Sequence, residues 1–205
     1  MAFPFYTSPW NPASIVGAQL TCPSPFRTAS VAGTSSLDNN GIRSLATIPN
    51  TGLVTVIFTV NRQPDLFFSL GICNAAFSLG VTLGTDSGKN SLGFNLFGLA
   101  AGIYIGGNLV GDTLSSSATG TFILLALNMS SRRAWLYYSD NGKWNTVDPN
   151  TPFFNVGGID ISTLSAGPYY VGCSIVDSIA PGVSLSILAK PPLVPAVPFI
   201  MNQVA

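Results

Sequence analysis

The residues of this chain that could do chemistry are few and narrow in type. The sequence has eight Asp, no Glu and no His, beside three Cys. Without His there is no imidazole base for a Ser or Cys nucleophile and no His ligand for a metal. Two Asp carboxylates could still hydrolyse a glycoside, but Glu, the common acid of that reaction, is absent. We therefore expect a protein that is not an enzyme, with no catalytic residues and no cofactor.

Four aspartates lie in the second half of the chain, where turn residues are dense, and their oxygens could bind Ca²⁺. Their spacing matches no calcium-binding loop such as the EF-hand, and Asp is also a common residue of turns and caps. We therefore expect no metal site. The four residues are Asp140, Asp148, Asp160 and Asp177.

A more specific candidate is a glycan-binding surface in the aromatic stretch Arg132 to Ser162. Trp135, Tyr137 and Trp144 could form a platform for a sugar ring, with polar neighbours that bond its hydroxyls. The competing interpretation is core packing for Trp135 and turn chemistry for the polar residues. We favour this second interpretation because aromatic residues in strands are mostly core. The candidate glycan-binding loop consists of Asp140, Asn141, Trp144 and Asp148.

The three cysteines, Cys22, Cys73 and Cys173, are odd in number and have no CxxC spacing. Such spacing is what indicates a disulfide framework, a redox motif or a zinc site. The first twelve residues contain three prolines and no basic residue, so they do not read as a secretory signal. Buried free thiols in a protein made in a reducing cytoplasm are the simplest interpretation.

Charge is scarce throughout the chain. Charged residues make up 8% of the sequence, against a usual share of roughly 25%, and eight Lys and Arg balance the eight Asp. The balance leaves no basic footprint for nucleic acid and no polybasic membrane signal, and no unbroken apolar run is long enough to span a membrane. So few charges suit a surface that partners cover, as in a large homo-assembly.

Short apolar and aromatic segments separated by turn residues predict an all-β fold. About ten such segments, with turn signals every 8–12 residues or so, are typical of a sandwich or barrel. The scarcity of Lys and Arg, beside 21 Gly and 15 Pro, argues against helices. We predict an antiparallel β-sandwich of the jelly-roll type over residues 36–190. The predicted strands are residues 44–49, 53–60, 65–75, 76–86, 91–99, the hairpin 102–112, 121–127, 133–138, 168–176 and 183–189.

Two of these strands carry a specific burial prediction. Residues 121–127, TFILLAL, are apolar throughout and suit a strand that is covered on both faces. In residues 133–138 the side chains alternate between two faces. One face carries Ala134, Leu136 and Tyr138, and the other carries Arg133, Trp135 and Tyr137.

Proline-rich apolar arms flank the predicted sandwich. Residues 1–35 contain five prolines, which forbid a long helix and discourage a central strand, and residues 191–205 are similar. Apolar side chains in such arms are costly to leave in water, so they either pack on neighbouring subunits or fold back on their own domain. We expect the first arrangement. The candidate assembly residues are Phe3, Phe5, Tyr6, Trp10, Leu193, Val197, Phe199 and Ile200.

A fixed order of turns and strands runs through residues 100–190. A glycine hairpin, Gly106-Gly107, precedes an apolar strand that ends in Leu127-Asn128, and the aromatic strand follows. This order resembles the SPRY/concanavalin A-like jelly-roll modules of bacteriophage structural proteins. The chain departs from the family where SSSATGTFILLAL replaces the usual charged decoration. The later features of the resemblance are Asn141-Gly142-Lys143-Trp144-Asn145, Asp148-Pro149, Gly157-Gly158-Ile159-Asp160-Ile161, Gly167-Pro168-Tyr169-Tyr170 and the strand Val183 to Leu188.

The resemblance implies a module used for recognition and for building virions, with no catalytic set to carry over. We therefore expect a non-enzymatic bacteriophage virion protein, assembled in the host cytoplasm as a capsid-associated decoration or cement subunit. Its partners would be copies of itself, in a trimer or another homo-oligomer, and virion proteins such as the major capsid protein. The alternative is a receptor-binding fibre, spike or tail adhesin that recognises a host surface glycan through loops at the end of the sandwich. A glycan-active enzyme is a third alternative.

Overall fold

Two antiparallel sheets pack face to face in a computed structural model of the protein, which confirms the predicted β-sandwich. Within the described residues the only helix is a 3-10 turn, Pro12–Ser14. No helix in this part of the chain is long and apolar enough to cross a membrane. The structure describes residues 5–17, 20–31, 39–62, 67–95, 102–111, 122–139, 143–144, 152, 155–176 and 183–187.

The larger sheet contains eight strands and the smaller sheet six, numbered in chain order. In the larger sheet the spatial order is β1 (Leu20–Thr21), β2 (Thr28–Val31), β14 (Val183–Ile187), β4 (Leu53–Arg62), β9 (Phe122–Asn128), β10 (Arg133–Tyr138) and β11 (Lys143–Trp144), with β12 (Ile159–Asp160) also paired to β10. In the smaller sheet the order is β3 (Asn39–Arg43), β13 (Tyr169–Val176), β5 (Phe67–Asn74), β6 (Ser91–Asn95), β7 (Gly102–Ile105) and β8 (Asn108–Gly111).

The centre of the larger sheet is built from two strongly apolar segments of the sequence. β4 is dense in β-branched residues, which fit a pleated surface, and it pairs with β9 from Leu53 to Thr59. β9 is buried on both faces, as its unbroken apolar sequence predicts. In β10, Ala134 and Leu136 face the interior between the sheets, whereas Trp135 and Tyr137 belong to a separate outer cluster. The predicted alternation is confirmed for these side chains.

The hairpin predicted at Gly106-Gly107 joins β7 to β8. Both glycines have positive φ (61° and 80°), which a two-residue turn that follows the twist of its strands requires. β8 is the edge strand of the smaller sheet in the described part of the chain, and its side chains are mostly exposed.

The outer face of the smaller sheet is covered by the connection between β5 and β6, residues 75–90. Gly172, Gly71 and Gly93 stand opposite one another across β13, β5 and β6. A Cβ at Gly93 would collide with the carbonyl oxygen of Leu83, and a Cβ at Gly172 would lie 3.1 Å from the Leu83 side chain. Gly93 and Gly172 in this glycine row therefore let the connection lie directly on the sheet.

The same connection corrects the strand predicted at residues 76–86. The Leu83 amide donates to Ser174 Oγ (3.1 Å) and the Gly84 amide donates to Ser91 Oγ (2.8 Å). Because these amides bond to side chains of the sheet beneath, they form no ladder with a neighbouring strand. The apolar side chains of the connection pack onto the sheet instead. The resulting cluster contains Cys73, Phe77, Leu79 and Leu83, with Tyr170 against it.

The N-terminal segment, predicted as an arm, packs on its own domain where the structure describes it. The Tyr6 amide donates to the carbonyl oxygen of Thr55 in β4 (2.8 Å), and Trp10 forms a bridge with Ser44, next to β3. Residues 5–17 therefore connect the larger sheet with the outer edge of β3 in the smaller sheet. β1 and β2 are strands of the larger sheet, so the sandwich begins before the predicted boundary at residue 36.

Burial corrects the assembly role that the sequence predicts for two aromatic residues. Trp10 is fully buried, with its ring centroid 6.4 Å from that of Phe58, and Tyr6 is 6% exposed in the same core. Rings buried in their own core are not available to a neighbouring subunit. Phe5 is half-buried against the outer cluster. The candidate residues Phe3, Leu193, Val197, Phe199 and Ile200 lie outside the described residues.

Candidate binding site

The candidate glycan-binding loop presents no exposed aromatic platform among its described residues. Trp144 is 8% exposed and packs against Tyr137, with ring centroids 5.3 Å apart, which corrects its predicted role. Trp135 is fully buried and its indole N–H donates to the carbonyl oxygen of Val156 (3.0 Å), so the core-packing interpretation of this residue is confirmed. The loop residues Asp140, Asn141 and Asp148 lie outside the described residues.

A basin of about 690 Å³ opens at the end of the sandwich where β4, β10 and β13 begin. The turn between β10 and β11, which carries the candidate glycan-binding loop, lies at the opposite end of β10. Within the described part of the chain, Arg132 is the one charged residue that lines the basin. Other lining residues are Asn50, Met129, Ser162, Leu164 and Tyr169.

The turn between β9 and β10 sets the position of Arg132. The Asn128 side chain accepts hydrogen bonds from the amides of Ser130 and Ser131 (both 3.1 Å), so the chain reverses directly after β9. Arg132 then adopts a left-handed conformation (φ 55°), which is uncommon for a residue other than Gly or Asn. The Ile161 amide donates to the Arg132 carbonyl (2.9 Å) and anchors this end of the turn.

The guanidinium of Arg132 is held at the wall of the basin. Its Nη2 donates to the carbonyl of Ile161 and to the hydroxyl of Tyr169 (3.1 Å each), and the guanidinium carbon lies 5.3 Å from the centre of the Tyr169 ring. The Tyr169 hydroxyl in turn donates to the carbonyl of Ser165 (2.6 Å). Within the described part of the chain these bonds use Nη2 alone, so Nε and Nη1 have no partner among the described residues.

Asp160 interacts electrostatically with this arginine but does not line the basin. Its carboxylate is exposed and accepts a hydrogen bond from the Ser162 amide (2.8 Å). That bond is the main reason why the pKa of Asp160 is lowered, with smaller contributions from the Ser162 side chain, Arg133 and Arg132. A carboxylate or another anionic group is therefore the ligand chemistry that the basin fits.

A second concavity, a groove of about 490 Å³, involves the connection between β3 and β4. Residues 5–9 form one wall and residues 45–49 the other, with Val54 also in the lining. No charged residue of the described chain lines this groove. Its lining is mainly apolar, with Thr7, Ser8 and Thr47 as its polar residues, and Leu45 at its rim is 59% exposed.

Hydrogen bonds hold the two walls of the groove together. The Leu45 amide donates to the Pro9 carbonyl and the Ala46 amide donates to Ser8 Oγ (2.9 Å each), while the Tyr6 hydroxyl bonds to Ala46 O. The sequence predicts residues 44–49 as a short segment that could pair at a sheet edge, and they meet β13 at two points, where the Ser44 amide donates to the Val171 carbonyl (2.8 Å) and the Ile48 amide donates to the Tyr169 carbonyl (2.7 Å). The amides of Leu45 and Ala46 bond to the N-terminal segment instead, so the residues form no continuous ladder.

In the part of the chain that the structure describes, the thiols and the acidic side chains form no metal-binding cluster. Cys22, Cys73 and Cys173 are buried and free. Burial raises the pKa of Cys73 from 9.0 to about 12 and raises the pKa of Cys173 and of Cys22. A thiol whose pKa is raised stays protonated at neutral pH and is a poor nucleophile. Among the described residues, no three side chains of the metal-binding types lie together.

Sequence reasoning missed both concavities. Arg132 carries no signal in the sequence beyond a pair of neighbouring arginines, because the basin forms from segments around residues 50, 130 and 165 that are distant in the chain. The groove likewise needs the N-terminal segment to pack against the β3–β4 connection. The one local feature of the sequence that pointed toward the basin was Asn128. Its turn chemistry places the residues that follow at the end of the sandwich.

Comparison with known proteins finds likeness in fold alone. No protein-family model and no curated protein matches the chain. The SPRY domain of human HERC1 matches with a TM-score of 0.60 at 14% identity, over 87% of this chain and 96% of that chain. The PSpry domain of TRIM65 gives a TM-score of 0.60 at 10% identity, over 91% and 92%. A further human SPRY domain gives 0.55 at 12% identity, over 87% and 100%.

These structures agree with the jelly-roll resemblance that the sequence carries between the hairpin and the last strand. They cover nearly the whole of their own length on this chain, so the sandwich corresponds to a complete SPRY fold. At such low identity the likeness transfers no ligand and no site residue. The chain is a SPRY-like β-sandwich with an arginine-lined basin and an uncharged groove at one end.

Proposed function

We propose that this chain is a non-enzymatic structural subunit of a bacteriophage particle, a decoration or cement protein that binds a capsid surface and further copies of itself. The motif order that resembles phage jelly-roll modules supports the phage context. The charge content of 8% supports a surface that is covered in an assembly. A third feature that supports the proposal is an exposed apolar sheet edge among the described residues.

The observation that carries the proposal is the edge strand β8. Leu109 is 55% exposed and Val110 is 42% exposed, and the strand contains no charged residue. Edge strands usually carry Lys or Pro, because an open edge can pair with another chain. β8 contains neither Lys nor Pro, so its short length is the main feature that limits pairing with another chain. An apolar edge of this kind suits pairing with a neighbouring copy or with a capsid protein.

In this proposal the N-terminal segment does not clamp neighbouring subunits. Tyr6 and Trp10 are part of the core of their own domain, and the contact between subunits is made by β8 instead. A trimer or another cyclic homo-oligomer remains the expected assembly, since identical subunits that use one edge and one receiving surface close into rings.

The test introduces charge into the proposed contact edge. Lys at both Leu109 and Val110 would place two charges in a desolvated interface, whereas Val156→Lys is a matched control at a valine that is 42% exposed elsewhere. We expect the double variant alone to sediment as a monomer and to be missing from purified particles, while the control assembles. A wild-type protein that sediments as a monomer at high concentration and is absent from the head would contradict the proposal.

A second candidate function, a receptor-binding adhesin, is favoured by the basin around Arg132. Arg132 is the one charged residue among the described residues that line the basin, and a hydrogen bond from a guanidinium to a carboxylate is charge-assisted, so the basin suits a sugar that carries a carboxylate. The basin lies among loops at one end of the sandwich, where the alternative prediction expected a ligand. It replaces the loop around Trp144 as the candidate glycan site.

Titration with glucuronate, and with glucose as its uncharged counterpart, tests the basin. We expect glucuronate alone to bind and Arg132→Gln to weaken binding by about tenfold or more, since a hydrogen bond to a charged group contributes about 1.5–3 kcal/mol. Arg133→Gln is the control, because Arg133 bonds to Gly157 and Gly158 and does not line the basin. Equal binding by wild type and Arg132→Gln would rule out this role.

A further inference from the structure

The uncharged groove between residues 5–9 and 45–49 has the chemistry of a site for an extended apolar peptide. Its lining combines the rings of Phe5 and Tyr6 with two prolines and an exposed leucine, and no described residue of the lining is charged. Proline-rich segments bind grooves lined by aromatic residues, because their extended conformation is already formed and little entropy is lost on docking.

The chain itself contains one segment with matching chemistry. Residues 191–200, PPLVPAVPFI, contain four prolines, six other apolar residues and no charge. Each proline lacks a backbone donor, so the segment can lie in an apolar groove with few unsatisfied amides. Lys190, which precedes it, is the nearest charged residue in the sequence and would stay outside the groove.

The direction of β14 brings this segment toward the groove. β14 runs antiparallel to β4 and its last pair joins Ile187 to Phe58. Continuing in that direction, the edge of β4 reaches Thr55, where Phe5 is already paired. β9 occupies the other edge of β4 over this stretch, so Phe5 and β14 share one edge. A chain that continued from β14 in this direction would therefore reach the N-terminal segment, one wall of the groove.

The reach of the segment is sufficient. Phe58 and Val54 are four strand residues apart, which is about 13 Å. Nine residues separate Ile187 from Ala196, and an extended proline-rich chain spans roughly 3.1 Å per residue, or about 28 Å. Ala196 can thus lie at the centre of the groove without any displacement of β14.

We infer that residues 191–200 dock in the groove between residues 5–9 and 45–49 of the same polypeptide. The docked segment covers Leu45 and the Phe5 side chain and joins the two walls on their exposed side. This inference goes beyond the proposed function and does not depend on it, because it concerns a contact within one polypeptide whatever the protein binds.

A nitroxide spin label on the full chain tests the inference. The three native thiols are buried, so an Ala196→Cys variant takes the label at one accessible position. We expect the amide NMR signals of Ala46 and Thr47 to lose most of their intensity relative to the reduced label, while the signals of Leu109 and Val110 keep theirs. Intensity loss that spares Ala46 and Thr47 would overturn the inference.

Further samples distinguish docking in the groove from a non-specific contact and from a contact between copies. Leu45→Asp should restore the Ala46 and Thr47 signals, whereas Val156→Asp, a change at a valine that is 42% exposed and lies outside both the groove and β8, should not. Mixing spin-labelled protein with isotope-labelled protein that carries no spin label reports contacts between copies. Intensity loss at Ala46 in the mixed sample would overturn docking within one polypeptide. Since none of these samples involves a β8 variant or particles, the outcome is independent of the test of the proposed function.

Discussion

At the scale of single residues, glycine determines how closely the 75–90 connection approaches the smaller sheet. Gly172, Gly71 and Gly93 lie in one row across three strands. At Gly93 a side chain would meet backbone atoms, which cannot rotate away. The packing of this layer therefore depends on the absence of a side chain at Gly93 and at Gly172.

A pair of alanine substitutions tests this dependence. Gly93→Ala should lower the free energy of unfolding by about 1–3 kcal/mol or more, since the connection must move away from the sheet. Gly80→Ala, in the same connection, meets its first neighbouring atom, of Val16, at 3.5 Å, so its effect should stay within about 1 kcal/mol. Urea unfolding of both variants measures the difference. Equal stability of the two variants would contradict the close approach.

Residue identities in the sequence predicted some of the side-chain environments and not others. Trp135 could be assigned to a packed face because strand alternation is a local property. Arg132 could not be assigned to a basin, because its role depends on Tyr169 and Ile161, which lie far away in the chain and meet it only after both sheets have formed.

At the scale of elements, the N-terminal segment has a structural role that its prolines conceal. Residues 5–17 pair with β4 at one point and with the outer edge of β3 at several others. The segment therefore covers an edge of the smaller sheet that would otherwise be open. Prolines are tolerated in it because the pairing is intermittent and many of its backbone positions need no ladder hydrogen bond.

Replacing the buried anchor of this segment should destabilise the whole sandwich. Trp10→Ala removes a fully buried ring that contacts Phe58, so we expect a loss of about 3–5 kcal/mol in the free energy of unfolding. Leu109→Ala, at an exposed leucine, should change it by less than about 0.5 kcal/mol. Thermal unfolding of the two variants provides the comparison. A small effect of Trp10→Ala would mean that the segment is an accessory arm after all.

The strands were predictable where burial and local pattern agree. β4 and β9 combine β-branched or unbroken apolar sequence with long ladders, so local preference and tertiary packing indicate the same element. The strand predicted at residues 76–86 is wrong, because alternating apolar and small residues occur both in a strand and in a connection that lies on a sheet. Only the glycine row beneath, on other strands, distinguishes the two.

At the scale of the whole molecule, three apolar clusters are stacked across the two sheets. The main core lies between the sheets, one cluster lies on the outer face of the larger sheet, and one lies under the 75–90 connection. Trp10 belongs to the main core, whereas Trp135 and Trp144 belong to the outer cluster. β9 contributes side chains to both of these clusters, so neither can disorder without disturbing the other.

We therefore expect the main core around Trp10 and the outer cluster around Trp135 and Trp144 to unfold together. In a Trp10→Phe variant, tryptophan fluorescence reports the outer cluster alone, while far-UV circular dichroism reports both sheets. The two signals should give one urea midpoint, as a two-state transition requires. An earlier midpoint by fluorescence would show that the outer cluster unfolds as a separate unit.

The pairing of β2 with β14 has a consequence for how the protein is made. Thr28 to Val31 stand opposite Ser186 to Val183, so a strand synthesised early receives its partner only when more than 150 further residues have left the ribosome. Until then the nascent chain exposes the apolar strands of an incomplete sheet, and such non-local pairing is slow to form. Efficient production of this protein should accordingly depend on chaperone capacity in the cell that synthesises it.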